Sequence, residues 1–206
     1  MLTALLAAAG YLAGSMPFGY WLVRVVKGVD IRSVGSGNIG ASNVWRMYGR
    51  AYGLPVMLLD IVKGFVPALV ATLVAGDLAG ALAGGAAMAG HWRPIYLRFQ
   101  RGGKAVATCG GAFLAVAPIV GAIGAGVWIV AFLVFRYASV ASILAAGSLP
   151  AIAAALGEPW PVIAFAGAAA LMVVVLHRAN IARLRAGTES RFSFRRRKAF
   201  AARTPT

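Results

Sequence analysis

The chain has 206 residues, of which 61% are hydrophobic and 12% charged, and 20 Lys and Arg against 5 Asp and Glu give a formal net charge of +15. Intrinsic disorder requires low hydrophobicity, and a soluble nucleic-acid-binding domain of this charge would not have a mean hydropathy of +0.81. The composition therefore indicates a small polytopic membrane protein, in which each span needs about 20 apolar residues.

Apolar runs place the candidate spans at about 2–26, 52–75, 78–97, 105–135, 138–156 and 160–177. No basic residue precedes the first run, so we expect a retained span rather than a cleaved signal peptide. The fourth run holds 31 uncharged residues. As one helix it would be about 46 Å long, which exceeds the ~30 Å hydrocarbon core. With Pro118 near its middle, this run is either one kinked helix or two short ones.

The distribution of Lys and Arg decides between these alternatives. With seven spans, the segments after spans one, three and five and the C-terminal tail carry five, four, one and nine basic residues and share one face. Such an excess of positive charge is typical of the cytoplasmic side. We therefore predict an all-α, polytopic membrane helix bundle of seven transmembrane helices, with the N-terminus outside and the C-terminus cytoplasmic. Residues 1–190 would form a single membrane domain and residues 191–206 a basic cytoplasmic tail.

The first polar segment on the predicted cytoplasmic face covers residues 34–46. Glycines at positions 35, 37 and 40 allow positive φ, which turns several backbone N–H groups toward one point and forms an anion-binding nest. The spacing resembles a P-loop without its lysine, but no alternating strand precedes it, which disfavours nucleotide binding. The alternative is a flexible linker, which has no need for the polar side chains of Asn38, Asn43 and Arg46.

A second polar segment, residues 90–108, contains Gly102-Gly103-Lys104. We expect the two glycines to open the fourth span and Lys104 to lie in its first helical turn. A cation there opposes the helix dipole, which favours an anion bound beside Lys104. In the alternative interpretation Arg98, Arg101 and Lys104 are only basic anchors at the membrane face. His91 is either a site residue or a hydrogen-bonding residue between helices.

A third polar segment begins where the last span ends. There His177 and Asn180 are three residues apart and share one helix face. Ser139 and Ser142 repeat this spacing at the start of span six. A serine in a membrane helix more often packs or bonds to its own backbone than takes part in catalysis.

The remaining ionisable residues argue against metal and covalent catalysis. Asp60 and Lys63 share one face of span two, and we expect them to pair because ionised groups at that depth are costly. Metal sites need clustered carboxylate, His or Cys ligands, which are scattered here, so we predict no metal and no cofactor. Cys109 is the single cysteine and has no nearby His in sequence, and the chain lacks a G-x-S-x-G elbow. Cationic and amide donors instead suit a phosphate-bearing substrate whose own hydroxyl is the nucleophile.

Together these segments closely resemble the bacterial acyl-phosphate:glycerol-3-phosphate 1-acyltransferase family of PlsY type. The similarity is carried by Ser36-Gly37-Asn38-Ile39-Gly40-Ala41-Ser42-Asn43-Val44-x-Arg46, by Gly90-His91-x-x-Pro94 with Phe99-x-x-Gly102-Gly103-Lys104 and Val106-Ala107-Thr108, and by His177-x-x-Asn180-Ile181-x-Arg183-Leu184-x-x-Gly187-x-Glu189. It extends from about Tyr11 to Glu189. The family usually has Thr in place of Ser42 and Gly in place of Ala105. Because alanine disfavours positive φ, we expect the two glycines before Lys104 to make the turn alone.

The resemblance implies transfer of a fatty acyl group from acyl phosphate to the 1-hydroxyl of glycerol 3-phosphate. The products would be lysophosphatidic acid and phosphate, in the first acylation of phospholipid biosynthesis, and no acyl-enzyme would form. It also implies a multi-pass protein of the bacterial plasma (inner) membrane with its active site facing the cytoplasm. Transient contact with the soluble enzyme that makes acyl phosphate is expected, and no nucleic acid partner. The base is either His177 or an oxygen of the substrate phosphate.

The resemblance also assigns residues. Ser36, Arg46 and Lys104 would hold phosphate groups, while the 36–43 loop would cradle the acyl phosphate. Ser142, His177 and Asn180 would position glycerol 3-phosphate. The expected catalytic residues are Ser36, Arg46, Lys104, His177 and Asn180. Substrate binding would further involve Gly35, Gly37, Asn38, Gly40, Ala41, Ser42, Asn43, His91, Gly102, Gly103 and Ser142.

Two other classes of protein share some of these features. A transporter or flippase would use the same basic rim but should place polar residues across the whole membrane depth, whereas the predicted outer half is almost purely apolar. A scaffold that binds anionic lipid needs only the basic tail and leaves the three polar segments unexplained.

Overall fold

The computed structural model describes residues 1–192, and helices are the regular secondary structure of that range. They are α1 (Leu2–Gly14), α2 (Phe18–Lys27), α3 (Ala41–Tyr48), α4 (Arg50–Trp92), α5 (Val106–Val116), α6 (Pro118–Phe135), α7 (Ala138–Ala155), α8 (Trp160–Leu176) and α9 (Arg178–Arg185). Two 3-10 turns, Ile31–Ser33 and Ile95–Leu97, lie between helices. The predicted all-α class is confirmed. Most of the predicted basic tail, residues 193–206, lies outside the described residues.

Several helices match the length and composition of membrane spans. Within residues 1–192, four segments are long and apolar enough: Leu2–Lys27, Arg50–Leu97, Pro118–Phe135 and Ala138–Ala155. The pair α8 and α9, bent by 55°, makes a fifth candidate if it is counted as one span. The apolar helix α5 is shorter, with 11 residues. The described part of the chain is therefore a bundle of apolar helices, and several of its apolar segments contain a break or bend.

Helix α4 folds back on itself at Gly76, where φ is 79° and ψ is −177°. The two halves of α4 pack closely against each other on either side of this bend. Gly80 is so near Thr72 that an added Cβ would overlap the Thr72 hydroxyl, and a Cβ added to Gly84 would lie 3.6 Å from the Ala68 methyl group. In a straight helix Ala68 and Gly84 would be about 24 Å apart. The segment Arg50–Leu97 is therefore a helical hairpin, bent between the predicted spans 52–75 and 78–97.

The long apolar run at 105–135 forms two helices, α5 and α6, that meet at Ala117. Pro118 is the first residue of α6, a position where its missing N–H group costs no helical hydrogen bond. Seven of the 11 residues of α5 are buried, and its Phe113 stacks on Phe165 of α8 with ring centroids 4.6 Å apart. Neighbouring helices therefore enclose the short helix that follows Lys104.

Small residues hold α1 against the second half of α4. A Cβ added to Gly10 or Gly14 would overlap the backbone at Ala83 or Ala87, respectively. Lipid tails are as apolar as leucine, so close backbone packing of this kind drives helix association in membranes. The same contact continues at Gly90, which abuts the C-terminal end of α1. This packing places the break between α1 and α2 beside the start of the second polar segment.

Candidate active site

The three polar segments meet at Lys104. Its ammonium group donates a hydrogen bond of 2.5 Å to Oδ1 of Asn180 in α9. Burial lowers the pKa of Lys104 from 10.5 to about 8, the carboxylate of Glu189 raises this pKa, and nearby guanidinium groups lower it further. Those guanidinium groups belong to Arg183, Arg101 and Arg46. The fold thus collects cations from all three segments around one partly buried ammonium, an arrangement that favours a bound anion.

Glu189 organises the third segment. Its Oε1 accepts hydrogen bonds from Asn180 Nδ2 at 2.6 Å and Ser139 Oγ at 2.9 Å, while Oε2 accepts one from Arg183 Nε at 2.6 Å. Burial acts to raise the pKa of this carboxyl group, but the three hydrogen bonds outweigh it and lower the pKa below the usual value. An ionised Glu189 attracts the amide nitrogen of Asn180, which leaves the amide oxygen facing Lys104.

His177 lies at the bend between α8 and α9 and is 3% exposed. Its Nδ1 is 2.8 Å from the carbonyl oxygen of Val173. Because a carbonyl only accepts hydrogen bonds, Nδ1 carries the proton and Nε2 of the neutral ring is left as an acceptor. The charges of Lys104 and Glu189 both act on the ring, which places it at the edge of the same cluster.

The glycine loop at 34–40 differs from the predicted nest. Gly35 and Gly37 adopt positive φ of 61° and 67°, but Gly40 has φ −75° and caps the N-terminus of α3. The N–H groups of Ser36, Gly37 and Gly40 are already hydrogen-bonded within the loop. In the first turn of α3, Asn43 and Val44 donate to the Gly40 carbonyl, so the N–H groups of Ala41 and Ser42 are the donors best placed for an anion. The predicted site residues of this segment differ in exposure. The exposed ones are Gly35, Ser36, Ser42 and Arg46, and the partly buried ones are Gly37, Asn38, Gly40 and Ala41.

Asn43 holds this loop in shape from within. It is 2% exposed, and its Oδ1 accepts a hydrogen bond of 3.0 Å from the N–H of Ser36. Its Nδ2 donates to the carbonyl oxygens of Val34 at 3.1 Å and Asn38 at 2.9 Å. Both ends of the amide are therefore engaged inside the loop.

The residues around Lys104 correct two predictions. Helix α5 begins at Val106, so Lys104 precedes the helix instead of lying in its first turn. Ala105 is the N-cap residue and adopts a left-handed conformation, φ 58° and ψ 13°, which we expected it to avoid. Such a conformation costs an L-residue roughly 1–2 kcal/mol. Ala105 is 1% exposed and belongs to the main apolar core, so burial of its methyl group offsets that cost.

Four predicted site residues face inward. Ser142 is 5% exposed, donates to the carbonyl of Ala138 at 2.6 Å and accepts from Trp128 Nε1 at 3.2 Å. Gly102 and Gly103 are buried, and His91, 3% exposed, lies directly beneath Gly103. None of these four residues presents an exposed side chain at the basic surface.

A small polar pocket of about 60 Å³ opens beside Lys104. Its lining includes Asn38, Arg93, Arg101, Gly103, Lys104 and Arg178. Four of these side chains are cationic: Arg93, Arg101 and Lys104 belong to the segment between α4 and α5, and Arg178 is the first residue of α9. A pocket with this lining suits a phosphate group.

Comparison with known proteins agrees with this chemistry. The family model described as glycerol-3-phosphate acyltransferase matches residues 4–187. The glycerol-3-phosphate acyltransferases of Desulforudis audaxviator and Geobacter metallireducens are each 46% identical over 93% of this chain, and the matches cover 96% and 98% of those proteins. The chain belongs to the glycerol-3-phosphate acyltransferase family.

Solved structures place this acyltransferase in the PlsY type. Its fold is similar to the crystal structure of PlsY (YgiH), an integral membrane glycerol 3-phosphate acyltransferase, in the glycerol 3-phosphate form. That match has a TM-score of 0.90 and 40% identity, and it covers 94% of this chain and 96% of the other. The lysophosphatidic acid form of the same protein matches with a TM-score of 0.87 and 39% identity.

The sequence-based residue set of this acyltransferase omitted several members of the cluster. Glu189 and Ser139 were left out, although the motif containing Glu189 and the Ser139–Ser142 spacing were available signals. Arg93, Arg101 and Arg178 were also left out, because arginines beside span ends cannot be distinguished from basic anchors by sequence. Only their convergence on the pocket beside Lys104 separates them from the other anchors.

Proposed function

We propose that this acyltransferase transfers a fatty acyl group from acyl phosphate to the 1-hydroxyl of glycerol 3-phosphate, releasing lysophosphatidic acid and phosphate. The observation that carries the proposal is the convergence of three polar segments on Lys104. Cations and amide donors suit two phosphate-bearing substrates, and Cys109 is buried at 3% exposure, so we expect no acyl-enzyme. The glycerol 3-phosphate and lysophosphatidic acid forms of the solved relative match the proposed acceptor and product.

Phosphate binding is assigned to Ser36, Arg46 and Lys104. Arg46 can grip a phosphate with two N–H groups at once, whereas Lys104 acts as a point charge. The 36–43 loop and the N-terminus of α3 cradle the acyl phosphate. His177 and Asn180 position glycerol 3-phosphate. For Ser142 to join them, its hydroxyl must exchange a hydrogen bond to Ala138 or Trp128 for one to the substrate.

In the proposed reaction the 1-hydroxyl oxygen attacks the carbonyl carbon of the acyl phosphate. The bond between that carbon and the phosphate oxygen breaks, and inorganic phosphate leaves. The surrounding cations stabilise negative charge as it develops. The hydroxyl proton goes either to Nε2 of His177 or to a phosphate oxygen of the substrate. The variant His177→Gln distinguishes these two proton acceptors. If His177 is the general base, the rate should fall by about 10²–10⁴-fold. A smaller fall would indicate that a phosphate oxygen of the substrate accepts the proton.

An apolar groove provides a place for the acyl chain. It lies between α1 and the first half of α4, has a volume of about 380 Å³ and is lined by residues such as Leu6, Leu59 and Val66. Phe18 also lines it, and the next residue, Gly19, packs against the carbonyl oxygen of Ile39 in the glycine loop. The groove therefore begins beside the loop to which we assign the acyl phosphate.

We further propose seven spans, with the N-terminus outside, the C-terminus cytoplasmic and the protein in the bacterial plasma membrane. The helical hairpin at Gly76 and the separation of α5 from α6 support this count, since the two halves of α4 then act as separate spans. In this topology the Lys104 cluster faces the cytoplasm, where the soluble enzyme that makes acyl phosphate would contact it transiently. A C-terminal reporter found outside the cell would contradict the orientation.

The decisive experiment supplies the purified protein with palmitoyl phosphate and glycerol 3-phosphate and follows phosphate release. We expect turnover without added metal and in the presence of chelator. Lys104→Ala should abolish turnover, whereas deletion of residues 193–206 should leave most of it. Phe192 is retained because it is buried and its carbonyl oxygen accepts hydrogen bonds from Arg136. Lys27→Ala, which removes an exposed lysine stacked on Tyr52, serves as the control. Activity with acyl-CoA alone, or with neither donor, would contradict the proposal.

A further inference from the structure

A buried charged cluster lies beneath the Lys104 loop and takes no part in the proposed chemical steps. Lys63 Nζ is 2.7 Å from Asp60 Oδ1, which confirms the predicted pairing, and the two side chains are 2% and 4% exposed. His91 Nδ1 lies 3.6 Å from the same Asp60 oxygen and has no hydrogen-bond partner among the described residues. Ionisable groups at membrane depth are costly and are usually functional.

His91 connects this cluster to the loop above it. Its carbonyl oxygen accepts a hydrogen bond of 3.0 Å from the N–H of Gly103, and the carbonyl of Trp92 accepts one of 2.9 Å from Gly102. The imidazole lies so close beneath Gly103 that a Cβ there would overlap Nε2. A shift of the ring toward Gly103 would therefore displace the residue that immediately precedes Lys104.

Lys63 connects the cluster to the break in the first apolar segment. It donates a hydrogen bond of 2.7 Å to the carbonyl oxygen of Met16 and lies 5.5 Å from the ring centroid of Phe18. Met16 is in the break between α1 and α2, where a carbonyl without a helical donor needs another partner. The cluster therefore joins this break, both halves of α4 and the loop that carries Lys104.

We propose that His91, which lies beside the Asp60–Lys63 pair, is a positioning residue that fixes the Lys104 loop for phosphate binding and does not itself touch the substrate. The inference rests on the proposed role of Lys104 in holding a substrate phosphate. We assign that phosphate to glycerol 3-phosphate, because Lys104 is hydrogen-bonded to Asn180, which is itself assigned to that substrate. Lys104 reaches Asn180 through a single hydrogen bond, so a small displacement of its loop separates two groups assigned to the same ligand. With 3% exposure and the Gly103 backbone above it, His91 is shielded from a ligand on that side.

The test uses full-length protein and measures glycerol 3-phosphate binding by calorimetry together with kcat and KM. His91→Ala should weaken binding and raise the KM for glycerol 3-phosphate by about tenfold or more, and His91→Gln should restore part of the loss. Thr72→Val is the matched control, because Thr72 lies in the same helix α4 and its hydroxyl donates a hydrogen bond of 2.9 Å to the carbonyl of Ala68, one turn earlier and outside the cluster. It should leave the affinity for glycerol 3-phosphate unchanged.

A double variant distinguishes positioning from direct contact. If His91 acts through Lys104, His91→Ala combined with Lys104→Ala should bind glycerol 3-phosphate like Lys104→Ala alone. If the double variant binds glycerol 3-phosphate more weakly than Lys104→Ala, by the loss seen in His91→Ala, the proposal is overturned. It is also overturned if His91→Ala binds like the wild type, or if Thr72→Val loses as much affinity as His91→Ala. Absence of binding by the wild type would overturn it too. Failure of acyl phosphate as the donor is a separate result, since this binding experiment does not depend on the donor.

Discussion

Lys104 and Asn180 are 76 positions apart in the chain, yet the ammonium of one donates a hydrogen bond of 2.5 Å to the amide oxygen of the other. On its other side the Asn180 amide donates to Glu189 at 2.6 Å. The amide thus separates the carboxylate from the ammonium. Within residues 1–192 Lys104 therefore has no direct ion pair, and two of its three N–H donors have no protein acceptor there and can bind an anion.

Catalysis should depend on pH through Lys104. Its pKa of about 8 means that the ammonium is protonated below that pH and loses its charge as the pH rises above it. We expect kcat/KM to fall about tenfold per unit above roughly pH 8, because kcat/KM reports groups of the free enzyme. In Lys104→Arg, which stays charged, activity should be lower but this fall should be absent. A wild-type profile that stays flat to about pH 10 would contradict the assignment.

Arg46→Lys should reduce kcat/KM although it preserves the charge. Loss of a two-point grip on phosphate removes a charged hydrogen bond of about 1.5–3 kcal/mol, which corresponds to roughly 10- to 100-fold in rate. Arg50→Lys is the matched control, since Arg50 is an exposed arginine at the start of α4. Steady-state kinetics with both substrates would check this, and equal effects of the two changes would refute a specific role for Arg46.

Gly103→Ala should disrupt the Lys104 loop. The new methyl group would overlap the His91 imidazole, and overpacking of this kind costs about 1–3 kcal/mol. Gly110→Ala in α5 is the comparison, because a Cβ there meets no atom within 4 Å among the described residues. Thermal unfolding and phosphate release should both be impaired in the first variant and nearly normal in the second. Normal turnover by Gly103→Ala would mean that the loop tolerates displacement.

Substitutions at Ala105 test the left-handed backbone found there. In Ala105→Gly, relief of the left-handed backbone should stabilise the fold by about 1–2 kcal/mol. Loss of a buried methyl group should destabilise it by about 0.8 kcal/mol, and the greater freedom of glycine in the unfolded chain destabilises it further. We therefore expect nearly unchanged unfolding and activity. Ala105→Val should be strongly destabilising, because a β-branched residue rarely adopts positive φ. Equal stability of the Gly and Val variants would argue against the φ of 58° at this position.

Arg101→Gln should raise the KM for glycerol 3-phosphate by about tenfold, since a charged hydrogen bond to phosphate is worth about 1.5–3 kcal/mol. Arg101 lines the pocket beside Lys104, whereas Arg98, three residues earlier in the same loop, does not. Arg98→Gln should therefore leave the KM almost unchanged. Inhibition by inorganic phosphate gives a second measurement, and it should weaken in Arg101→Gln alone. A similar response of both variants would indicate a general effect of charge.

Local features of the sequence sufficed for much of the fold. The apolar runs predicted helices, and the bends at Gly76 and Pro118 follow from the backbone properties of glycine and proline at those positions. The pairing of Asp60 with Lys63 was also predictable, because both lie one turn apart on the same helix. The polar segments indicated the family before any geometry was known, since their residue types and order are specific as a set.

Other features depend on contacts between residues far apart in the chain, and only the tertiary structure decided them. Ala105 adopts a left-handed conformation because the surrounding core encloses its methyl group, and no local pattern reports that enclosure. His91 lies under the Lys104 loop because the hairpin at Gly76 returns it to Asp60. Sequence by itself determined the class of protein, the helices and the chemistry of the polar segments. Folding determined which of those side chains point at a common anion site and which support it from beneath, because that depends on how the helices pack in three dimensions.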